Sequence, residues 1–157
     1  MVHALKRSAT ALAVLLAVVC ATASPASAHT LGSAVTSSTG CGWSNGAYTI
    51  LHSSTISVVE EGRQGTVYLL WNGTYGQNCV VTLKTGPSHG TQTWTWARLY
   101  IRTASGGYET RYDEGDYAHY AAKSASTRGV CVAYQGGIEG LNGQDGYAGR
   151  TEYGNCG

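Results

Sequence analysis

The sequence predicts an all-β fold, a small antiparallel sandwich or barrel stapled by two disulfides. Three observations carry that expectation. Past residue 28 the chain alternates short runs rich in Val, Ile, Thr, Tyr and Trp with breaks of Gly, Asn, Asp and Ser. No stretch there keeps an apolar period of 3.6 residues, so no long helix is expected. Four cysteines, Cys41, Cys79, Cys131 and Cys156, remain once the first 28 residues are set aside.

Those first residues read as a secretory signal peptide. Lys6 and Arg7 form a basic head, and Ala11 to Ala21 (ALAVLLAVVCA) an uncharged core. A bilayer span needs about 20 apolar residues, and this core is much shorter. Ala26-Ser27-Ala28 offers the small-x-small pattern that signal peptidase accepts, with cleavage before His29, and Ala21-Thr22-Ala23 is a second candidate. Val19 ahead of Cys20 does not suit a lipid anchor. A secreted chain, extracellular or on the cell surface, is the expectation. Lys6 and Arg7 are two of ten Lys and Arg, so eight face nine Asp and Glu afterwards, a formal charge of −1 with histidines neutral. Phosphate backbones and anionic lipids attract concentrated Lys and Arg, so neither a nucleic-acid partner nor a membrane anchor is expected. In an oxidising compartment the four cysteines pair off. Of three pairings, Cys41–Cys79 with Cys131–Cys156 is favoured because it staples each half separately. Each link contributes roughly 3–4 kcal/mol in the chain-entropy picture.

Residues 29–40 (HTLGSAVTSSTG) are small and polar and read as a flexible arm. A single β domain follows over 41–157, with strands expected near 46–51, 55–59, 65–71, 78–84, 91–103, 107–112, 116–123, 129–135 and 147–153. In TVYLLWNGTYGQNCVVTLK (66–84), a loop of NGTYGQ sets Trp71 opposite Asn78. Val67, Leu69 and Trp71 then share a face with Val80 and Thr82, and Tyr68 and Leu70 share the other with Cys79, Val81 and Leu83. Both faces are apolar, so this hairpin belongs centrally with cover on each side. It is scaffold. Glycines at 137, 140, 143, 146 and 149 make a G-x-y run too short and too poor in Pro for collagen. A flexible loop is expected there.

The best binding candidate is TQTWTWARLYIRT (91–103). In a strand, Trp94, Trp96, Arg98, Tyr100 and Arg102 share one face, and Thr93, Thr95, Ala97, Leu99 and Ile101 the other. Rings that stack on sugars beside Arg donors for hydroxyls and carboxylates suit a cell-wall or spore-surface polysaccharide. Large aromatics are ordinarily buried, however, so core positions for Trp94 and Trp96 are the first expectation. Asp113, Glu114 and Asp116 around Gly115 read as a solvated acidic turn, without the spacing of a calcium loop. Glu109, Arg111 and His119 are the groups a small secreted hydrolase could use, if they converge within hydrogen-bond reach. His52, His89 and His119 stand scattered, without metal-ligand spacing to one another or to a cysteine. Neither a metal nor another cofactor is expected, and no catalytic residue is assigned.

Cys41 with the strand around Tyr48, VYLLWNGTYGQNCVVTLK (67–84), YDEGDYAHYAA (112–122), GVCV (129–132) and the terminal NCG (155–157) carry a resemblance to the spore-associated protein A family of Streptomyces and related actinobacteria. It implies a small exported β-protein of the spore or mycelial surface, non-catalytic in that no catalytic residue comes with it. HSSTISVVEEGRQ (52–64) and TQTWTWARLYIR (91–102) depart from the family pattern, so the aromatic strand is particular to this chain.

Overall fold

The computed structural model describes residues 29–156, and the expected leader at 1–28 lies outside the described residues. Among them no helix is long and apolar enough to cross a membrane. The elements are α1 (Leu31–Thr36), β1 (Thr49–Val58), β2 (Gly62–Asn72), β3 (Gln77–Lys84), β4 (Thr93–Arg102), β5 (Tyr108–Tyr117), β6 (Tyr120–Ser126), β7 (Val132–Glu139) and β8 (Asp145–Gly154). They form two four-stranded sheets in the orders β1-β2-β3-β6 and β5-β4-β7-β8, antiparallel at every pairing. The all-β expectation holds, and the architecture is a sandwich. Its interior is filled from both sheets by Ile56, Val67, Leu69 and Val80 against Ala97, Leu99, Ile101, Tyr134 and Ile138.

The β2–β3 hairpin has the expected register, with Trp71 opposite Asn78, Leu69 opposite Val80 and Val67 opposite Thr82. It lies at the centre of the first sheet and is covered twice. One face meets the second sheet. The other, through Leu70, Cys79, Val81 and Leu83, meets Ala34, Val35, Cys41 and Trp43.

That second cover corrects the reading of 29–40 as a flexible arm. Thr30 caps α1 by accepting the Ser33 N–H, and Ala34 and Val35 are fully buried. The Cys41 N–H then bonds the Ala34 carbonyl and the Trp43 N–H the Val35 carbonyl. A six-residue helix is too short to stand alone and holds here by packing. The Trp43 indole donates to Gln77 Oε1 at 2.7 Å, and the Cys41–Cys79 disulfide ties the segment to β3. Cys131 pairs with Cys156, which completes the favoured pairing.

Three further expectations change. The runs at 46–51 and 55–59 are parts of one strand, because Ser53 and Ser54 pair with Tyr68 and Val67 and keep the ladder going. The acidic segment is not a turn: Asp113, Glu114 and Asp116 belong to β5. The glycine run is not a loose loop but the β7–β8 hairpin, where close approach demands glycine. A Cβ on Gly136 would lie 2.0 Å from Thr82 Oγ1, and one on Gly146 would lie 2.4 Å from the Ser57 carbonyl oxygen.

Candidate functional site

Two places gather chemistry-bearing side chains. The first is the outer face of the second sheet. Along β4, Thr95, Ala97, Leu99 and Ile101 are buried, while Trp94, Trp96, Arg98, Tyr100 and Arg102 point outward. The expectation of core positions for Trp94 and Trp96 is thereby corrected. The interior beneath β4 is already filled by the odd-numbered side chains, and Trp94 keeps 40% of its surface exposed.

Neighbouring strands extend this face. Tyr112 lies opposite Arg98, Tyr108 opposite Arg102, and Glu114 opposite Trp96 on β5. On the other side Gly137 lies opposite Trp96, and Tyr147 of β8 lies opposite Gly137. The Trp96 indole lies across Gly137, where a Cβ would approach it to 2.3 Å. Arg98 sits 4.7 Å from the Trp96 ring centroid and bonds Glu114 Oε2 at 3.1 Å. The Glu114 carboxylate raises the Arg98 pKa further, so this guanidinium stays charged. The Tyr100 hydroxyl donates to Gln135 Oε1 at 2.9 Å. Tyr108 and Tyr153 meet with centroids 5.5 Å apart. Of the nine large apolar side chains left exposed among the described residues, Trp94, Tyr108, Tyr112, Tyr147 and Tyr153 share this face. Such clustering, rather than single exposed rings, marks a binding surface. A shallow hollow of about 290 Å³ opens between Arg98, Tyr100, Thr110, Tyr112 and Glu114. It offers flat ring surface beside donors and acceptors held in fixed positions.

The second place is a groove of about 680 Å³ at the β5–β6 turn, where His29, Thr39, Asp113, Tyr117, His119 and Lys123 are among its walls. Asp113 points inward, accepting from the Tyr117 hydroxyl at 2.8 Å and from the Ala122 N–H on the edge of β6 at 2.9 Å. That carboxylate, with burial, raises the Tyr117 pKa to about 12. Glu114 points the other way, to Arg98, so the acidic residues of β5 do not converge. Below lies Lys84, fully buried, its ammonium donating to the Thr91 and Tyr117 carbonyls and to Thr93 Oγ1. Burial lowers its pKa to about 8 against the pull of Glu139 and Asp116. Burial and the neighbouring His29, His89 and Lys84 also lower the pKa of His119.

The histidines expected to be scattered are not all apart. His29, from the segment read as an arm, joins His89 of the β3–β4 connection and His119 of the β5–β6 turn, with one ring nitrogen of each within 4.8 Å of the others. His52 instead stacks on Tyr134. The hydrolase candidates do not assemble: Glu109 and Arg111 pair with each other and line a neighbouring hollow with Ile101 and Ser126, which shares Lys123 and Ser124 with the groove but not His119. Sequence reasoning missed Tyr112, Tyr147 and Glu114 as members of the aromatic face. Alternation of Tyr108, Thr110, Tyr112 and Glu114 was the available signal, hidden by reading a turn at 113–116.

No family model matches the chain, and no solved structure matches it. Among curated proteins it is 37% identical over 121 residues to spore-associated protein A of Streptomyces coelicolor, a match covering 76% of this chain and 70% of the relative. That extent of identity decides the matter: this chain belongs to the spore-associated protein A family.

Proposed function

We propose that this chain is an exported, non-catalytic component of the spore or mycelial surface, and that it holds surface polysaccharide on the outer face of its second sheet. One observation carries the reading: rings of Trp94, Tyr112 and Tyr147 lie open on a single sheet face, interleaved with Arg98, Glu114 and Gln135. The C–H faces of pyranose rings are apolar and stack on flat aromatic surface, while their hydroxyls seek charged and amide partners at the rim. Strand positions hold those partners at fixed spacing, which suits a repeating polymer. The relative's name associates it with spores, and two disulfides suit an extracellular setting. Nothing among the described residues favours the hydrolase alternative, whose Glu109–Arg111 pair and His119 line adjoining hollows rather than one.

The test is co-sedimentation of the purified, disulfide-bonded protein with washed spores, mycelium, and insoluble cell-wall glycan or chitin. Retention of the wild type, with release of the Trp94→Ala, Tyr112→Ala double variant, is the expected outcome. Wild-type protein left in the supernatant with every solid overturns the proposal, and so does equal retention of the variant.

A further inference from the structure

Three segments far apart in sequence bring His29, His89 and His119 to one end of the sandwich. His119 Nδ1 and His89 Nε2 stand 3.3 Å apart, their ring centroids 5.0 Å apart. His29 stacks on His119 with centroids 3.8 Å apart, and its Nδ1 is buried with no hydrogen-bond partner among the described residues. A buried nitrogen without a partner is costly, so it marks a place where something else is expected to bind. Two imidazole nitrogens held at about 2.0–2.1 Å on one metal lie about 3.3 Å apart on a tetrahedral ion and about 2.9 Å apart side by side on a tetragonal one such as copper(II). The His89–His119 pair, in ring N–H···N contact at 3.3 Å, stands within about half an ångström of either, and a bound metal replaces that contact by drawing both lone pairs to one point. His29 closes the set by turning out of its stack, since stacked rings aim their nitrogens side by side rather than at one point. The groove beside them admits solvent and keeps the carboxylate of Asp113 on its wall.

We propose that His29, His89 and His119 form a binding site for a divalent d-block cation, with copper(II) held tightest. Neutral imidazole suits copper, zinc and nickel, and among these the order of stability places copper(II) highest. Where the chain is processed ahead of His29, as the export reading has it, the α-amine of His29 becomes a fourth nitrogen. With Nδ1 of the same residue it closes a six-membered chelate ring around the metal. The site owes nothing to the aromatic face, so polysaccharide binding and metal binding stand or fall separately.

The experiment uses protein collected from culture medium, its N-terminus fixed by mass spectrometry, stripped with EDTA and titrated with copper(II) alone, then zinc(II) alone. Calorimetry is expected to give one equivalent of copper(II), bound more tightly than zinc(II), with nitrogen hyperfine structure in the electron paramagnetic resonance spectrum. His89→Ala and His119→Ala are each expected to weaken binding by about 100-fold, while His52→Ala leaves it unchanged. Circular dichroism and thermal melting of each variant establish that the fold persists, and His119→Gln serves where His119→Ala does not fold. Copper(II) affinity equal in wild type and in folded His89 and His119 variants overturns the site. A chain carrying one extra residue ahead of His29 is expected to bind more weakly, and unchanged affinity there overturns the role of the amine.

Discussion

The two sheets of this sandwich are built alike and finished differently. In the first, β2 and β3 are buried on both faces, because α1, Trp43 and the Cys41–Cys79 bond close over the side away from the second sheet. In the second, β4 from Trp94 onward alternates buried with exposed or half-buried positions, and its outer side carries Trp94, Trp96, Arg98, Tyr100 and Arg102. No segment among the described residues covers that side as α1 and Trp43 cover the other. The difference teaches that aromatic content alone does not locate a core. Trp43 is 1% exposed and serves the scaffold, whereas Trp94 is 40% exposed on a face where folding gains little from it.

The largest effect expected from breaking this comparison comes from the cover of the first sheet. Replacing Cys41 and Cys79 together by Ser opens a loop of 38 residues and is expected to cost about 4 kcal/mol in urea unfolding. Trp43 fluorescence should shift to the red as its cover loosens. The Cys131, Cys156 pair spans 25 residues, and its removal is expected to cost about 3.5 kcal/mol without that shift. Gly136 tests the seam between the sheets. A Cβ there meets Thr82 Oγ1 and Val67 Cγ2, so Gly136→Ala is expected to lose about 2–3 kcal/mol by overpacking. Gly73→Ala, whose Cβ meets nothing closer than 3.5 Å, should lie within about 0.5 kcal/mol of wild type.

Lys84 gives a pH dependence with a definite sign. Its pKa is about 8 in the folded chain and 10.5 when unfolded, so between those values the unfolded chain holds the extra proton. Stability from this residue therefore rises as pH climbs from about 8 to 10.5, by about 2–3 kcal/mol. Comparing the chemical-denaturation midpoint of wild type and Lys84→Met across that range isolates the effect, and only the wild type should show the rise. The smallest effect on stability belongs to the open face. Trp94→Ala is expected to change unfolding free energy by under about 0.5 kcal/mol, as surface substitutions do.

Much of the scaffold was legible in the residues. The β2–β3 register followed from two apolar faces and one acceptable loop length, and the β4 alternation from period two alone. The helix α1 was not legible, because in LGSAVT only packing of Ala34 and Val35 distinguishes it from a polar tail. The glycine hairpin misled because its glycines answer to contacts with Ser57, Val67 and Thr82, which no local spacing encodes. For the site, the outward ladder of β4 was read, but its side was decided by a core already filled beneath it. The histidine cluster left no signal, since the fold alone brings His29 of the N-terminal segment to His89 and His119 on two separate connections.

The open aromatic face is the central claim, and three of the four tryptophans test it side by side. Soluble cell-wall oligosaccharide titrated into the ¹⁵N-labelled protein should shift the indole N–H resonances of Trp94 and Trp96 and leave that of Trp43, bonded to Gln77, in place. Movement of Trp43 with Trp94 and Trp96 unmoved, or no movement at saturating sugar, would contradict the account.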